Sequence, residues 1–216
     1  MKLITEQTTK IKATLPTRDA TKKQEVFYNP LMKSNRNLSI VLLNSISNKE
    51  MGLALPLAGS GIRGLRFLKE LKKGKLNHLY LNDRKETFEK TIKENLKLNS
   101  LKTNKINIST QDAEQFLLSQ HCDESCGYMD YIDIDPFGTP NPFISVAVNK
   151  IKRNGILAIT ATDTAALTGT YPKVTKRKYW ARSLRNYMMH EIGLRILIRK
   201  VQLQGIQFDK AMVPIL

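Results

Sequence analysis

The sequence predicts an α/β protein with a parallel β-sheet whose two faces are covered by helices. From residue 52 onward, short apolar runs alternate with amphipathic stretches of helical length. Such alternation is typical of βαβ units, which form parallel sheets. The chain has 216 residues, of which 41% are hydrophobic. It is therefore long enough and apolar enough to fold around one main core.

The predicted elements follow one another without an internal repeat. The predicted strands cover 52–57, 78–83, 106–109, 128–135, 155–160 and part of 208–216. The predicted helices cover 37–47, 61–72, 85–98, 112–118, 142–153 and 178–202. Residues 1–50 are expected to form a small N-terminal appendage of strand or loop plus a helix, and residues 51–216 the main domain. The last apolar run ends without a polar cap, so we expect an incomplete sheet edge there.

The charge is strongly positive and unevenly distributed. The chain carries 35 Lys and Arg against 19 Asp and Glu, a net charge of +16. Residues 101–150 are acidic on balance, whereas 151–216 hold twelve basic and three acidic residues. A field of this kind attracts polyphosphates and predicts a nucleic-acid partner. The predicted phosphate contacts are Lys173, Lys176, Arg177, Lys178 and Arg182. For the lysines of 69–75 we favour an ordinary solvated helix face.

Several classes of protein are not expected from this sequence. The first residues lack the apolar stretch of a secretory signal, and no uncharged apolar run is long enough for a membrane span. We therefore expect a cytoplasmic protein with no membrane contact, and we predict no protein partner. Cys122 and Cys126 have only His121 nearby as a further ligand. Because structural zinc needs four ligands, free thiols are expected and no metal site is predicted.

Residues 59–64, GSGIRG, match the G-x-G-x-x-G pattern between a predicted strand and a predicted helix. Gly59 and Gly61 would let a ligand approach the backbone, and the helix N-terminus offers free N–H groups to an anion. Asp83 stands at the end of the next strand, where a carboxylate can accept hydrogen bonds from ribose hydroxyls. The pattern predicts a nucleoside-containing ligand. The alternative is a structural turn, with Asp83 capping the following helix.

Two further segments follow predicted strands. Asp112 and Ala113 would lie beside the base of such a ligand, although Asp112 taken alone is more simply a helix cap. Asp135, Pro136 and Phe137 end the fourth strand, where open α/β sheets bind ligands. Asp135 and the Pro136 carbonyl can accept from an exocyclic amine while Phe137 stacks on the base. The alternative is a tight turn with an ordinary packed Phe.

The order of these motifs resembles that of the tRNA (guanine-N2)-dimethyltransferases, most closely their archaeal members. The resemblance covers about residues 25–216 and is carried by FYNPLMKSNRNLS, AGSGIRGLR, LYLNDR, DAEQFL, YIDIDPFGTP, ITATDTAALTGTYP, KRKY and EIGLRILI. It implies a Rossmann-like fold, S-adenosyl-L-methionine as cofactor, and transfer of one or two methyl groups to N2 of guanine 26 in tRNA. It also implies that the C-terminal tRNA-binding domain of the family is absent.

The resemblance also implies roles for individual residues. The cofactor contacts fall on Arg36, Arg66, Asp83, Asp112 and Ala113, and the catalytic aspartate on Asp135. Arg36 and Arg66 would hold or flank the methionine carboxylate. Two alternatives stay open: an NAD-dependent oxidoreductase, which the glycine pattern also permits, and a truncated chain that binds cofactor or RNA without turnover.

Overall fold

A five-stranded parallel sheet forms the centre of the protein, and a two-stranded antiparallel hairpin lies beside it. This computed structural model describes residues 1–14, 26–102, 104–119 and 129–215. The strands are Lys2–Glu6 (β1), Thr9–Ala13 (β2), Met51–Leu55 (β3), Leu76–Asn82 (β4), Ile106–Ser109 (β5), Met129–Ile134 (β6) and Ile151–Ile159 (β7). The helices are Lys33–Ser45 (α1), Ile62–Glu70 (α2), Phe88–Leu98 (α3), Ala113–Ser119 (α4), Asn141–Lys150 (α5), Thr164–Leu167 (α6), Pro172–Tyr179 (α7) and Met189–Ile206 (α8).

The strand order of the large sheet is β5-β4-β3-β6-β7. All four pairings are parallel, and helices connect successive strands. The predicted fold class is thereby confirmed. The chain first builds outward from β3 to β5 and then returns to place β6 on the other side of β3. Ligands of open α/β sheets bind at such a reversal point, beyond the carboxyl ends of the strands.

The N-terminal hairpin packs on helices that flank the sheet. The backbone N–H groups of Lys10 and Lys12 donate to the side-chain oxygens of Asn99 and Asn95, both at 2.9 Å. Ile11 is fully buried in the same apolar cluster as residues of β3 and α2. Residues of β1, β2 and α1 therefore share a core with the sheet. The domain boundary at residue 50 stays a prediction.

The predicted long helix over 178–202 is present over 189–202 but wrong over 180–188, where the chain breaks between α7 and α8. Tertiary contacts hold the break in place. The Tyr179 hydroxyl donates to Asp163 at 2.6 Å, and the hydroxyls of Thr175 and Ser183 are 3.1 Å apart. Trp180 then adopts a left-handed conformation with a φ of 56°. These contacts between non-neighbouring residues override the local helical pattern.

Two other predicted elements also differ from the structure. The predicted strand over 208–216 is wrong for 210–215, which form no strand. There the Lys210 ammonium donates to the carbonyls of Val148, Asn149 and Ile151 and draws the segment across the end of α5. The predicted helix over 142–153 ends at Lys150, since Ile151 already pairs with Met129 of β6.

Some expectations lie outside the residues that the structure describes. These are the part of the N-terminal appendage over 15–25 and the thiols of Cys122 and Cys126 with His121. Within 1–14, 26–102, 104–119 and 129–215, no helix combines the length and apolarity needed to cross a bilayer. In the same residues, His, Cys, Asp and Glu side chains form no group that could hold a metal ion.

Candidate active site

A cavity of about 630 Å³ opens at the carboxyl ends of β3, β4 and β6. Its size falls within the range of roughly 300–1,000 Å³ that is usual for small-molecule sites. Most of the predicted cofactor-binding and catalytic residues line it: Arg36, Gly59, Asp83, Asp112, Ala113, Asp135, Pro136 and Phe137. The structure therefore brings together motifs that are far apart in the sequence. Gly61 and Arg66 do not line the cavity.

The glycine turn and Asp83 form one hydrogen-bonded unit. The Gly59 N–H donates to Oδ2 of Asp83 at 2.9 Å, and the Lys85 N–H donates to Oδ1 at 3.2 Å. Because α3 begins only at Phe88, Asp83 does not cap that helix. Gly61 has a φ of 73°, and a Cβ there would collide with Ile92. Gly61 thus serves the turn and its packing, while Asp83 is held at the cavity wall.

Asp112 caps its helix and also lines the cavity. Its Oδ1 accepts from the backbone N–H groups of Glu114 and Gln115 at 2.9 and 3.4 Å, which is the geometry of a helix cap. The residue is nevertheless exposed and lines the cavity together with the buried Ala113. Capping fixes the carboxylate at the cavity wall.

Asp135 follows β6 with its side chain 30% exposed. Burial, followed by the negative charge of Asp133, raises the pKa of Asp135 to about 6, against the opposing effect of Arg63. Phe137 is 38% exposed and meets Phe27 edge to face, with ring centroids 4.6 Å apart. The cavity lining therefore includes a carboxyl group with a raised pKa, that of Asp135, and the partly exposed ring of Phe137 two residues later.

Arg63 is a site residue that sequence reasoning missed. Its Nε lies 2.6 Å from Oδ2 of Asp133, and its Nη2 lies 3.6 Å from Oδ2 of Asp135. The Tyr131 hydroxyl donates to the same Asp133 oxygen at 3.0 Å. The group of acids at 130, 133 and 135 was the available signal, since buried carboxylates require a counter-charge. Arg63 supplies that charge and itself lines the cavity.

Arg36 and Arg66 both form ion pairs with carboxylates of the protein itself. Glu6, from the hairpin, accepts from Arg36 at 2.8 and 2.5 Å and from Arg66 at 2.7 Å. Arg66 also pairs with Glu70 at 2.7 Å. Both guanidinium groups are thus bound to protein carboxylates, and their contact with the cofactor carboxylate stays a prediction. Arg66 lies outside the cavity lining because its side chain points into this buried network, whereas Arg36 borders both the network and the cavity.

The basic residues predicted to contact phosphate lie on α7 and just beyond it. Lys173, Lys176, Arg177 and Arg182 are exposed. Lys178 is half-buried and pairs with Asp163 at 3.1 Å, so this lysine is already neutralised within the protein. The structure therefore leaves four of the five predicted residues open to a ligand.

A model of the family described as N2,N2-dimethylguanosine tRNA methyltransferase matches residues 2–216. The chain belongs to this family. The resemblance drawn from the motifs is therefore confirmed. The family match also includes the N-terminal hairpin, the element that supplies Glu6.

Relatives within the family are similar over most of this chain. The tRNA (guanine(26)-N(2)/guanine(27)-N(2))-dimethyltransferase of Aquifex aeolicus is 45% identical over 193 residues, covering 88% of this chain and 48% of its own length. The tRNA (guanine(26)-N(2))-dimethyltransferase of Methanocaldococcus jannaschii is 41% identical over 202 residues, covering 90% and 52%. The chain thus spans about half the length of these curated relatives.

Among solved structures, Trm1 from Pyrococcus horikoshii in complex with S-adenosyl-L-methionine matches with a TM-score of 0.83. The two chains are 34% identical, and the match covers 97% of this chain and 56% of the other. This similarity confirms the Rossmann-like methyltransferase fold. The family is therefore supported by sequence and by architecture alike.

Proposed function

We propose that this chain is the catalytic part of a tRNA (guanine-N2)-methyltransferase, which transfers one or two methyl groups from S-adenosyl-L-methionine to N2 of guanine 26. The observation that carries the proposal is the meeting of Asp83, Asp112 and Asp135 in one cavity at the reversal point of the sheet. The names of the relatives in the family support the reaction and the tRNA substrate. They also favour methyl transfer over the NAD-dependent alternative.

The cavity fits a nucleoside cofactor. Asp83 is fixed by the Gly59 N–H and would accept hydrogen bonds from the ribose hydroxyls, while Asp112 and Ala113 would border the adenine. When bound, S-adenosyl-L-methionine supplies a methyl group already activated by the positive sulfur. The residues of this chain therefore need to provide binding, orientation and charge. Glu6 already pairs with Arg36. If Arg36 contacts the cofactor carboxylate, its guanidinium group would have to bind both that carboxylate and Glu6.

Asp135 is proposed to act on the guanine amine. Its carboxylate and the Pro136 carbonyl would accept hydrogen bonds from the NH₂ group, while the open ring of Phe137 stacks on the base. As N2 becomes positively charged, ionised Asp135 stabilises that charge and takes the proton. Arg63 favours the ionised form, since its cationic group lies 3.6 Å from the carboxylate.

The direct test is incubation of the chain with unmodified tRNA and S-adenosyl-L-methionine, followed by mass spectrometry of the nucleosides. The expected products are N2-methylguanosine and N2,N2-dimethylguanosine, absent when guanine 26 is replaced by adenine. Calorimetric titration is expected to show binding of S-adenosyl-L-methionine and no binding of NADH. Cofactor binding without methylated product would instead favour the non-catalytic alternative.

Asp83→Asn is expected to weaken S-adenosyl-L-methionine binding by about 10- to 150-fold, because hydrogen bonds to a charged group contribute about 1.5–3 kcal/mol. The measurement is the dissociation constant by calorimetry. Asp209→Asn, the same change at an exposed position, is the matched control. Equal affinity in the Asp83 variant and the control would remove Asp83 from the cofactor site.

Neutralising exposed lysines of α7 is expected to weaken tRNA binding. The double change Lys173→Ala and Lys176→Ala should lower affinity and reduce the slope of log K against log salt by about one for each lost phosphate contact. The matched control is Lys72→Ala with Lys73→Ala, also exposed but on the face that the sequence assigns to solvent. Equal losses in both pairs would show that only net charge matters.

A further inference from the structure

Two exposed aromatic side chains lie in the segment between α7 and α8. Trp180 is 57% exposed and Tyr187 is 94% exposed, although single large apolar groups usually gain from burial. Both lie in the stretch between α7 and α8 or at its start, where the sequence had predicted continuous helix. The break in the helix thus turns these rings outward on a surface that core packing does not explain.

Trp180 is held in an unusual backbone conformation. It ends α7 with φ 56° and ψ 32°, in the left-handed region that bulky residues rarely adopt. Nζ of Lys200 lies 3.1 Å from the centre of its ring, and Lys200 itself is buried. One face of the indole is therefore covered by a cation, and the remaining exposed surface comes from the opposite face and the edges. A bulky residue kept in a strained conformation is a sign of function.

The residues immediately before Trp180 are tied to the mouth of the candidate active site by short contacts. The side-chain amide of Asn141 donates to the Lys178 carbonyl at 2.7 Å. The Tyr179 hydroxyl lies 3.2 Å from the hydroxyl of Thr139, just after the Asp135 segment. The Gly138 N–H donates to Thr162, which lines the cavity, at 2.6 Å. Trp180 immediately follows these anchored residues, so its position is coupled to the mouth.

The surroundings of Trp180 indicate which partner it meets. The exposed charged side chains of α7 and of residues 180–188 are all basic: Lys173, Lys176, Arg177, Arg182 and Arg185. This surface complements the phosphates of a nucleic acid. Aromatic rings within such basic surfaces bind unpaired bases by stacking, without sequence preference. The charge therefore favours RNA as the occupant over an apolar peptide.

We propose that Trp180 is a stacking platform for an unpaired base of the RNA substrate, next to the nucleotide that enters the cavity. The proposal rests on the proposed function, because it requires an RNA substrate. The open face of the indole takes the base, while Lys200 supports the other face. Neighbouring arginines and lysines hold the phosphates on either side. A base displaced when guanine leaves its stack would regain stacking here.

The test uses Trp180 as its own probe, since it is the only tryptophan in the chain. Its fluorescence is recorded while the chain is titrated with a single-stranded RNA 12-mer, and separately with a ribose-phosphate 12-mer that lacks bases. We expect quenching by the RNA and little change with the abasic oligomer. Equal responses to both would overturn the proposal, because only a base can stack.

Two variants of Trp180 distinguish the effect of losing the aromatic ring from the effect of the unusual backbone conformation. Trp180→Gly removes the ring and suits the positive φ, while Trp180→Phe retains an aromatic face. By anisotropy of labelled RNA, we expect the glycine variant to bind about fivefold to 150-fold more weakly and the phenylalanine variant to recover part of the loss. Affinity for the abasic oligomer should be equal in all three proteins. Leu184→Ala, another exposed apolar residue of the segment, is the control.

The outcomes distinguish this proposal from the proposed function. If Trp180→Gly binds RNA like the parent chain, or loses affinity for both oligomers alike, the stacking proposal fails while methyl transfer stands. If the parent chain binds S-adenosyl-L-methionine but neither oligomer nor tRNA at any salt concentration, the stacking proposal fails together with the RNA part of the proposed function.

Discussion

Asp135→Asn is expected to lower the rate of methyl transfer by about 10²- to 10⁴-fold while leaving S-adenosyl-L-methionine binding within about twofold. An amide can neither take the proton from N2 nor stabilise its positive charge, yet it keeps the shape of the side chain. Single-turnover assays with tRNA give the rate, and calorimetry gives the affinity. Full turnover in this variant would exclude Asp135 as the catalytic residue.

The raised pKa of Asp135 also predicts how the rate depends on pH. With a pKa of about 6, the carboxyl is protonated below this value and ionised above it. We therefore expect methyl transfer to fall as the pH drops through about 6. The residual activity of the Asp135→Asn variant should not show this fall in rate near pH 6.

The same variant is expected to be more stable than the parent at pH 8. The pKa of Asp135 is higher in the folded state than the ordinary value of 3.8, so the protonated form is favoured by folding. That contribution is fully present below pH 3.8 and is lost as the pH rises through about 6. At pH 8, removal of the charge should raise the free energy of unfolding by about 1–3 kcal/mol, seen as a higher melting temperature.

A matched control exists for this stability effect. Asp209→Asn makes the same chemical change at an exposed position, and its effect should be within about 0.5 kcal/mol. If both variants shift the melting temperature equally, burial of the Asp135 charge is not the cause. A fall in stability on Asp135→Asn would show that its contact with Arg63 outweighs the cost of burial.

Glu6→Gln is expected to destabilise the fold by about 3–5 kcal/mol, the usual cost of removing one member of a buried ion pair. Glu6 is the shared partner of Arg36 and Arg66, and it also accepts from the Tyr28 hydroxyl at 2.8 Å. Without its charge, two guanidinium groups lose a common counter-ion inside the protein. Denaturant unfolding gives the free energy directly.

Acid titration provides an independent check on Glu6. Burial alone would raise its pKa, but hydrogen bonds and charge from Arg36, with help from Tyr28 and Arg66, lower it to about 2. This stabilising contribution is therefore present above pH 4.5 and is lost as the pH falls toward 2. The difference between parent and variant should shrink over that interval.

Glu70→Gln is the control for Glu6. Glu70 forms an ion pair with Arg66, accepts a longer hydrogen bond from the Thr8 hydroxyl at 3.4 Å, and is more accessible, with 15% of its side chain exposed. Glu70→Gln should therefore lower the free energy of unfolding by clearly less than Glu6→Gln does. Equal costs, or a Glu6 variant that unfolds like the parent, would contradict the role assigned to the network.

Local sequence patterns determined the sheet and the position of its motifs. The strand over Ile106–Ser109 was predicted with the bounds that the structure shows. The glycine motif at 59–64 follows β3 and leads into α2 as expected, with residues 62–64 forming the start of that helix. A strand that is buried on both faces requires a short continuous apolar run, and a tight turn requires glycine. Both patterns can be recognised from a few consecutive residues of the sequence. The cavity followed because parallel strands bring their carboxyl ends to one edge.

Only the tertiary structure decided which charges meet. From the sequence, Arg63 had no predicted role and Arg36 and Arg66 were predicted only as cofactor contacts, whereas folding pairs Arg63 with Asp133 and the other two with Glu6 from the hairpin. Similarly, contacts of Tyr179 with Asp163 end α7 where the local pattern continues as a helix. The physical reason is that ion pairs and hydrogen bonds depend on distance in space, whereas periodicity reports only on neighbours along the chain.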